Sequence, residues 1–348
     1  MKAIVIPSHG GAEVLELRDL PVPQPGIGEV RLRIRAAALN HLDLWVRRGH
    51  PGLKIPLPFI PGSDMAGQIQ TLGAGVEGWA LGDEVVVFPA TFCGACEPCR
   101  AGRQNLCRQF RIFGENRPGG MAEEVVVPAA CLFPKPSSLS WEEAAAFPLS
   151  WLTSWHMLND KVSHRPGDWV LIQAAASGTG IAALQIARLH GLRVIAVAGG
   201  AEKCARLLEM GADAVVDHTR DDLRATVKSL TGGAGVAVVV DHVGADTFAA
   251  SLGALARGGS YVTCGGSSGP MLQFDVRHLF IKHQRLIGST MGTLDNFSRI
   301  MFHVERGELR PVIHRAFAPE AIADAHLELE ERRVVGKVVI TFQSGNHP

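Results

Sequence analysis

"DWVLIQAAASGTGIAALQIARLHG", residues 168–191, decides the fold. A short apolar run, long enough for one buried strand, leads into a turn of small residues. Beyond it Ala182, Ile186 and Leu189 recur at i, i+4 and i+7, the spacing of one helix face. Strand, tight turn and helix together aim backbone amides at a pyrophosphate from a helix N-terminus. The glycines of the usual G-x-G-x-x-G would fall on Ala175, Ser177 and Gly180, so two of three are replaced, and Gly178 supplies compensating freedom. Ser177, Gly178, Thr179 and Gly180 form the candidate phosphate turn. Alone that turn decides little; its surroundings decide.

Outward from it, "LRVIAVA", "DAVVD", "VAVVVDHV" and "SYVTCGG" repeat the theme of short, almost wholly apolar strands. Helical patterns lie between them, among them "EKCARLLEMGAD", which Gly211 ends at a C-cap position. Apolar strands alternating with amphipathic helices predict a parallel sheet covered on both faces, the doubly wound α/β arrangement. Residues 1–150 read differently. "EVRLRIRAAAL" alternates with period two, and "GDEVVVF" and "AEEVVVP" are short strands between Pro/Gly turns, so a β-rich domain is expected. After about residue 290 the pattern is mixed and closes on the strand "GKVVITF". The expected organisation is a first domain over 1–150, a nucleotide-binding domain over 151–289, and a return to the first domain over 290–348.

The strand "LRVIAVAGGAEK" bears on the cofactor. An NAD site carries a carboxylate about 20 residues beyond the glycine turn, for the ribose hydroxyls. Here Ala198, Gly199 and Gly200 occupy that place, which leaves room for a 2′-phosphate. Lys203 opens the next helix, where a cation opposes the helix dipole unless an anion binds beside it. NADP(H) is therefore expected, with Lys203 as anchor and His218 and Arg206 as helpers; a merely solvated lysine is the plainer alternative.

"CGACEPCRAGRQNLC" places Cys93, Cys96, Cys99 and Cys107 in one loop, four of seven cysteines in the chain. The spacing C-x2-C-x2-C-x7-C suits a tetrathiolate site, which zinc favours because its filled d shell imposes no other geometry. A ferredoxin-type cluster would want its fourth cysteine after three residues and then proline. Spacing alone leaves a mononuclear iron open. Four thiolates leave no position for water or substrate, so such a zinc is structural.

Net charge is zero, which suggests no nucleic-acid or acidic-membrane partner. "MKAIVIP" is too short an apolar run for a signal peptide, and no run approaches the roughly 20 residues of a membrane span. A reducing cytosol is the expected location, where clustered cysteines bind metal rather than pair.

Taken together, "ALNHLDLWVRRG", "PGSDMAG", the four-cysteine lobe, "AAASGTG", "DHVGADTF", "IGSTMG" and "GKVVI" resemble the medium-chain dehydrogenase/reductase superfamily over essentially the whole chain. The resemblance implies a GroES-like β-rich catalytic domain split around a Rossmann domain, with subunits joined through their Rossmann sheets as a homodimer or homotetramer. It implies that His41 faces the cofactor pyrophosphate and that Thr153 lies under the nicotinamide. It also sets Val243, Cys264, Gly265, Met291 and Lys337 around the cofactor. Zinc alcohol dehydrogenases of this family hold a second, catalytic zinc. At its three ligand positions this sequence has Asn40, Ser63 and Leu149, and leucine cannot bind metal. An asparagine in place of the first ligand is similar to the quinone-oxidoreductase and enoyl-reductase branch, although that branch usually lacks the cysteine lobe.

Without a Lewis acid a simple alcohol is a poor hydride donor, whereas conjugate reduction needs only hydrogen-bond donors for the developing enolate. Asn40 is the candidate donor, with Asp43 and Trp45 as further candidate catalytic residues and His50 beside them. Asn40 and Asp43 equally suit helix caps, and Trp45 and His50 equally suit packing. The expected activity is NADPH-dependent reduction of a quinone or α,β-unsaturated carbonyl compound. The alternatives are a metal-dependent alcohol or aldehyde enzyme with ligands moved to His41, Asp64 and His50, and a cofactor-binding protein with little turnover.

Overall fold

The computed structural model describes residues 1–49, 52 and 54–342. His50, one of the relocated ligand candidates, lies outside them. The chain divides into two compact units: Met1–Ser150 with the segment from Thr293, and Trp151–Gly292.

In the first unit the central strand is Glu29–Ala38, whose alternating burial follows from its period-two sequence. Asp64–Leu72 pairs with it antiparallel, and beyond that stand Glu84–Val87 and Leu132–Pro134. Glu124–Pro128 pairs with its first half. Its last residues pair instead with Lys337–Thr341, which also carries Ile313–Phe317 in parallel. The carboxyl-terminal strand is therefore an internal member of this sheet. Phe88, Phe133 and Phe147 gather around the fully buried Phe297, with ring centroids 5.7, 4.8 and 5.8 Å from it.

The second unit is the doubly wound α/β sheet expected from the sequence. Among the described residues its strands run in the order Ala214–Asp217, Arg193–Ala198, Trp169–Ile172, Val236–Asp241, Leu255–Thr263, Arg285–Gly288, each parallel to its neighbour. In chain order that is 3-2-1-4-5-6, the Rossmann arrangement, with its switch point between the first and fourth strands. Helix Gly178–Leu189 is buried over most of its circumference through Ile181, Ala182, Ala183, Leu184, Ile186 and Ala187. That explains why its sequence is more apolar than a surface stripe requires.

Candidate active site

In the first unit, sheet register assembles a polar cluster. Ala38 pairs with Val339 on one side and Asp64 on the other, both antiparallel. Moving two residues along the chain sets Lys337 opposite Asn40, with Asp64 across from both. Lys337 Nζ donates to Asn40 Oδ1 at 2.5 Å and to Asp64 Oδ2 at 2.9 Å. Asn40 Nδ2 donates to the same Asp64 oxygen at 2.9 Å, and the Leu149 amide donates to Asp64 Oδ1 at 2.7 Å. Asn40, Asp64 and Lys337 are all buried, Lys337 being only 5% exposed. The ammonium is thus matched by a carboxylate and an amide oxygen, the condition under which a buried charge is tolerated.

Lys337, which the resemblance sets around the cofactor, is bonded to Asn40 and Asp64 within the first unit. Asp43, the second candidate catalytic residue, bonds the backbone of Asn40. It is fully buried and closes a capping box at the start of helix His41–Arg48. One oxygen accepts from the Asn40 amide at 2.8 Å and the other from the Gly62 amide at 2.9 Å. Burial pushes its carboxyl up to about 6 in spite of those two amides. Asp43 therefore sets where Asn40 points.

His41 and Trp45, one turn apart on that helix and half-buried, meet edge to face with ring centroids 5.6 Å apart. The other end of the helix is held by Arg47, which is fully buried. Arg47 pairs with Glu330 and bonds His326 Nδ1 at 3.1 Å. Burial and the Arg47 charge together hold His326 down to about 3.

The family's catalytic zinc does not fit this cluster. Asn40 and Asp64 are already bonded to an ammonium, Ser63 offers one buried hydroxyl, and Leu149 offers no side-chain ligand atom. The four-cysteine lobe does fit a structural zinc. Its sulfur atoms lie within 4.8 Å of one another, with Cys93 Sγ 3.9 Å from Cys99 Sγ and 3.5 Å from Cys107 Sγ. A zinc tetrahedron with bonds of about 2.3 Å has edges of about 3.8 Å. Backbone amides at 95 and 96 hold the Cys93 thiol down to about 6, while burial pushes Cys99 up to about 12. A dication among them would favour the thiolate at every position. Among the described residues no other cluster of three or more His, Cys, Asp or Glu side chains is arranged for a metal.

The second unit presents the turn expected to hold a pyrophosphate. Ser177 caps helix Gly178–Leu189 by accepting from the Gly180 amide at 3.0 Å. A Cβ on Gly180 would lie 2.5 Å from Ala174 O and 2.6 Å from Ala175 O, so this position needs glycine. Ser154 Oγ donates to Thr179 O at 2.9 Å, tying the turn to helix Pro148–Trp155, on which Thr153 is buried. Sequence reasoning missed His242, whose Nε2 lies 3.0 Å from Ser177 Oγ across the switch point. Its Nδ1 has no hydrogen-bond partner, and burial lowers its pKa.

At the end of the next strand, Gly199 stands against exposed His218, whose Nε2 would lie 2.9 Å from a Cβ at position 199. Half-buried Lys203 is in the first turn of helix Ala201–Glu209. Asp217, at the end of the neighbouring strand Ala214–Asp217, is the carboxylate that accepts from the Gly200 amide at this corner. It is spent on the Gly200 and Thr219 amides, the Thr219 hydroxyl and Arg220. Those bonds, led by Gly200, hold its carboxyl down to about 2. Val243, Cys264 and Gly265 are half-buried at the carboxyl ends of the fourth and fifth strands, and burial pushes the Cys264 thiol up to about 12. Buried Met291 holds φ at +52°, a strained value for a side chain of this kind.

Residues 26–137 match the family described as alcohol dehydrogenase GroES-like domain, and residues 178–305 that described as zinc-binding dehydrogenase. The chain is 31% identical to crotonyl-CoA reductase of Streptomyces collinus, over 93% of this chain and 80% of that protein. The chain belongs to the medium-chain dehydrogenase/reductase superfamily. Within it, the chain is also 30% identical to a quinone oxidoreductase of Pseudomonas aeruginosa, over 97% of this chain and 99% of that one. A solved structure described as an NAD-dependent alcohol dehydrogenase is 50% identical, with TM-score 0.95 over 99% of this chain and all of that one. This medium-chain dehydrogenase/reductase is therefore an oxidoreductase with a GroES-like domain and a Rossmann domain. Among its described residues no helix is long and apolar enough to cross a membrane.

Proposed function

We propose that the chain is an NADP(H)-dependent reductase of quinones or α,β-unsaturated carbonyl compounds. In this reading it works without a catalytic zinc and carries one structural zinc on Cys93, Cys96, Cys99 and Cys107. The observation that carries the reading is the buried ammonium of Lys337 bonded to both Asn40 and Asp64. Asn40, which stands at the family's first ligand position, is already bonded to a cation. When bound, NADPH supplies a hydride to a carbon activated by conjugation, and a solvent proton completes the reduction. The Ser177–Gly180 turn and helix N-terminus hold the pyrophosphate. Gly199 leaves space for the 2′-phosphate, with Lys203 and His218 as its counter-charges. Asn40 donates from Nδ2 to the oxygen on which negative charge gathers.

A second reading, NAD-dependent alcohol oxidation, is favoured by the name of the 50%-identical structure. One experiment separates them: zinc per chain, together with oxidation of NADPH and NADH against a panel of enones, quinones and aldehydes, before and after brief chelation. We expect one zinc per chain and a preference for NADPH. Turnover should be confined to conjugated acceptors and insensitive to the chelator. Two metals per chain, or chelator-sensitive activity with alcohols and NAD, would replace this reading with the second.

The same proposal includes a homodimer. Strand Arg285–Gly288 is the margin of the Rossmann sheet, and Phe280 and Ile281 on helix Arg277–Lys282 beside it are 62% and 54% exposed. An open strand edge flanked by apolar side chains suits a second copy of itself. Replacing both Phe280 and Ile281 with glutamate should convert the dimer to monomer in light scattering while leaving the far-UV circular dichroism of the folded chain unchanged. A variant that still elutes as a dimer would remove this edge as the interface.

A further inference from the structure

Asn40 is fixed by more than its position on the backbone. An ammonium has only donors and a carboxylate only acceptors. The side-chain atom facing Lys337 must therefore be oxygen, and the one facing Asp64 must be nitrogen. The amide cannot flip without setting two donors and two acceptors against each other in a buried place. Lys337, Asn40 and Asp64 thus close a three-membered ring of charge-assisted hydrogen bonds at 2.5, 2.9 and 2.9 Å. One Nδ2 hydrogen is used by Asp64, and an amide nitrogen carries two.

We propose that Lys337 is a positioning residue that acts through Asn40. Its ammonium, bonded to Oδ1, draws electron density out of the amide and makes the remaining Nδ2–H a stronger donor to a substrate oxygen. The physical basis is polarisation along a hydrogen-bonded chain at low local dielectric. A cation at one end of an amide strengthens donation from the other, and most strongly when the acceptor gains charge during reaction. Lys337 thereby does part of what a Lewis acid does, delivered through one side chain and without an open coordination position. Asp64 accepts from both partners and so aims them. Its own second oxygen is occupied by the Leu149 amide.

The kinetic consequence rests on the conjugate-reduction reading, but the polarisation itself does not, and the test keeps them apart. The chain has six asparagines, so selective 15N-asparagine labelling gives few side-chain amide signals, and that of Asn40 is identified by its loss in Asn40→Ser. In Lys337→Met and Lys337→Gln the Asn40 amide protons should move upfield. Glutamine retains a donor without charge, so its shift should be the smaller. With a reducible enone or quinone, kcat should fall on the order of 10- to 100-fold, the scale of losing part of an oxyanion-hole donor. NADPH affinity, read by fluorescence titration, should not change. An unmoved Asn40 resonance in both variants overturns the proposal. So does weakened NADPH binding with kcat intact, which would return Lys337 to the cofactor. If Lys337→Met does not fold, Lys337→Gln carries the same readouts. If no conjugated acceptor is reduced by the unmodified enzyme, the functional reading fails while the resonance shift still decides the role of Lys337.

Discussion

Replacing Cys99 with serine should release the metal of the cysteine lobe and leave the chemistry of the enzyme formally intact. Cys99 is buried, and its sulfur lies 3.9 Å from that of Cys93, close to the edge length that a zinc tetrahedron would require. The lobe around it contains only the short helix Glu97–Arg100 and the turn Gln104–Leu106, neither of which could hold itself together. Structural zinc in small peptides carries apparent binding free energies of about 10–16 kcal/mol, and that free energy is folding free energy. If about 4 kcal/mol of it is lost to the first unit, Tm falls by roughly 10 °C. Metal analysis should read one zinc per chain before the substitution and none after, and limited proteolysis should then cut between residues 93 and 107. Because four thiolates leave no vacant position, activity at low temperature should survive. A variant that keeps its zinc and its protease resistance would show that Cys99 is not a ligand, and abolished low-temperature activity in a folded variant would give this metal a catalytic part.

The second large effect is expected at Gly180. A valine there would drive its Cβ to 2.5 Å from Ala174 O and from Ala175 Cα, backbone atoms that cannot swing aside as a side-chain tip can. The turn must shift, and with it the Ser177 hydroxyl that caps the helix by accepting from the Gly180 amide. Anion binding at a helix N-terminus depends on several amides converging on one point, so a displacement of a few tenths of an ångström removes more than one bond. We expect Gly180→Val to weaken NADPH binding at least about 100-fold, equivalent to about 2.7 kcal/mol. Fluorescence titration measures that loss, and thermal denaturation of the free protein reports any general damage. Unchanged affinity in the folded variant would mean that the phosphates lie elsewhere.

What could be read from the sequence was local. The apolar strands, the helix after Ser177 and the four-cysteine spacing all depend on neighbours within about 15 residues, and each stands where its pattern put it. The cap at Asp43 was legible for the same reason, as one of two readings that only burial could separate. The Lys337 bonds were not legible. Its partners Asn40 and Asp64 are 297 and 273 residues away, joined only by sheet register. Nor were the bonds of Arg47, which is buried against His326 and Glu330, 279 and 283 residues away. His242 left no pattern because its partner Ser177 lies on a different strand–helix unit.

The placement of strand Lys337–Thr341 inside the first sheet has a consequence for biosynthesis. On the ribosome the Rossmann unit is complete before that strand has been made. The first unit must meanwhile wait, with the Ala36–Ala38 end of its central strand paired on one side only and Asp64 lacking its counter-ion, for roughly 10 to 50 s at ordinary elongation rates. A nascent or prematurely terminated chain is therefore a natural client for chaperones. The ammonium that completes the polar cluster follows Asn40 by 297 residues, so no translation product that stops before Lys337 can carry the finished site.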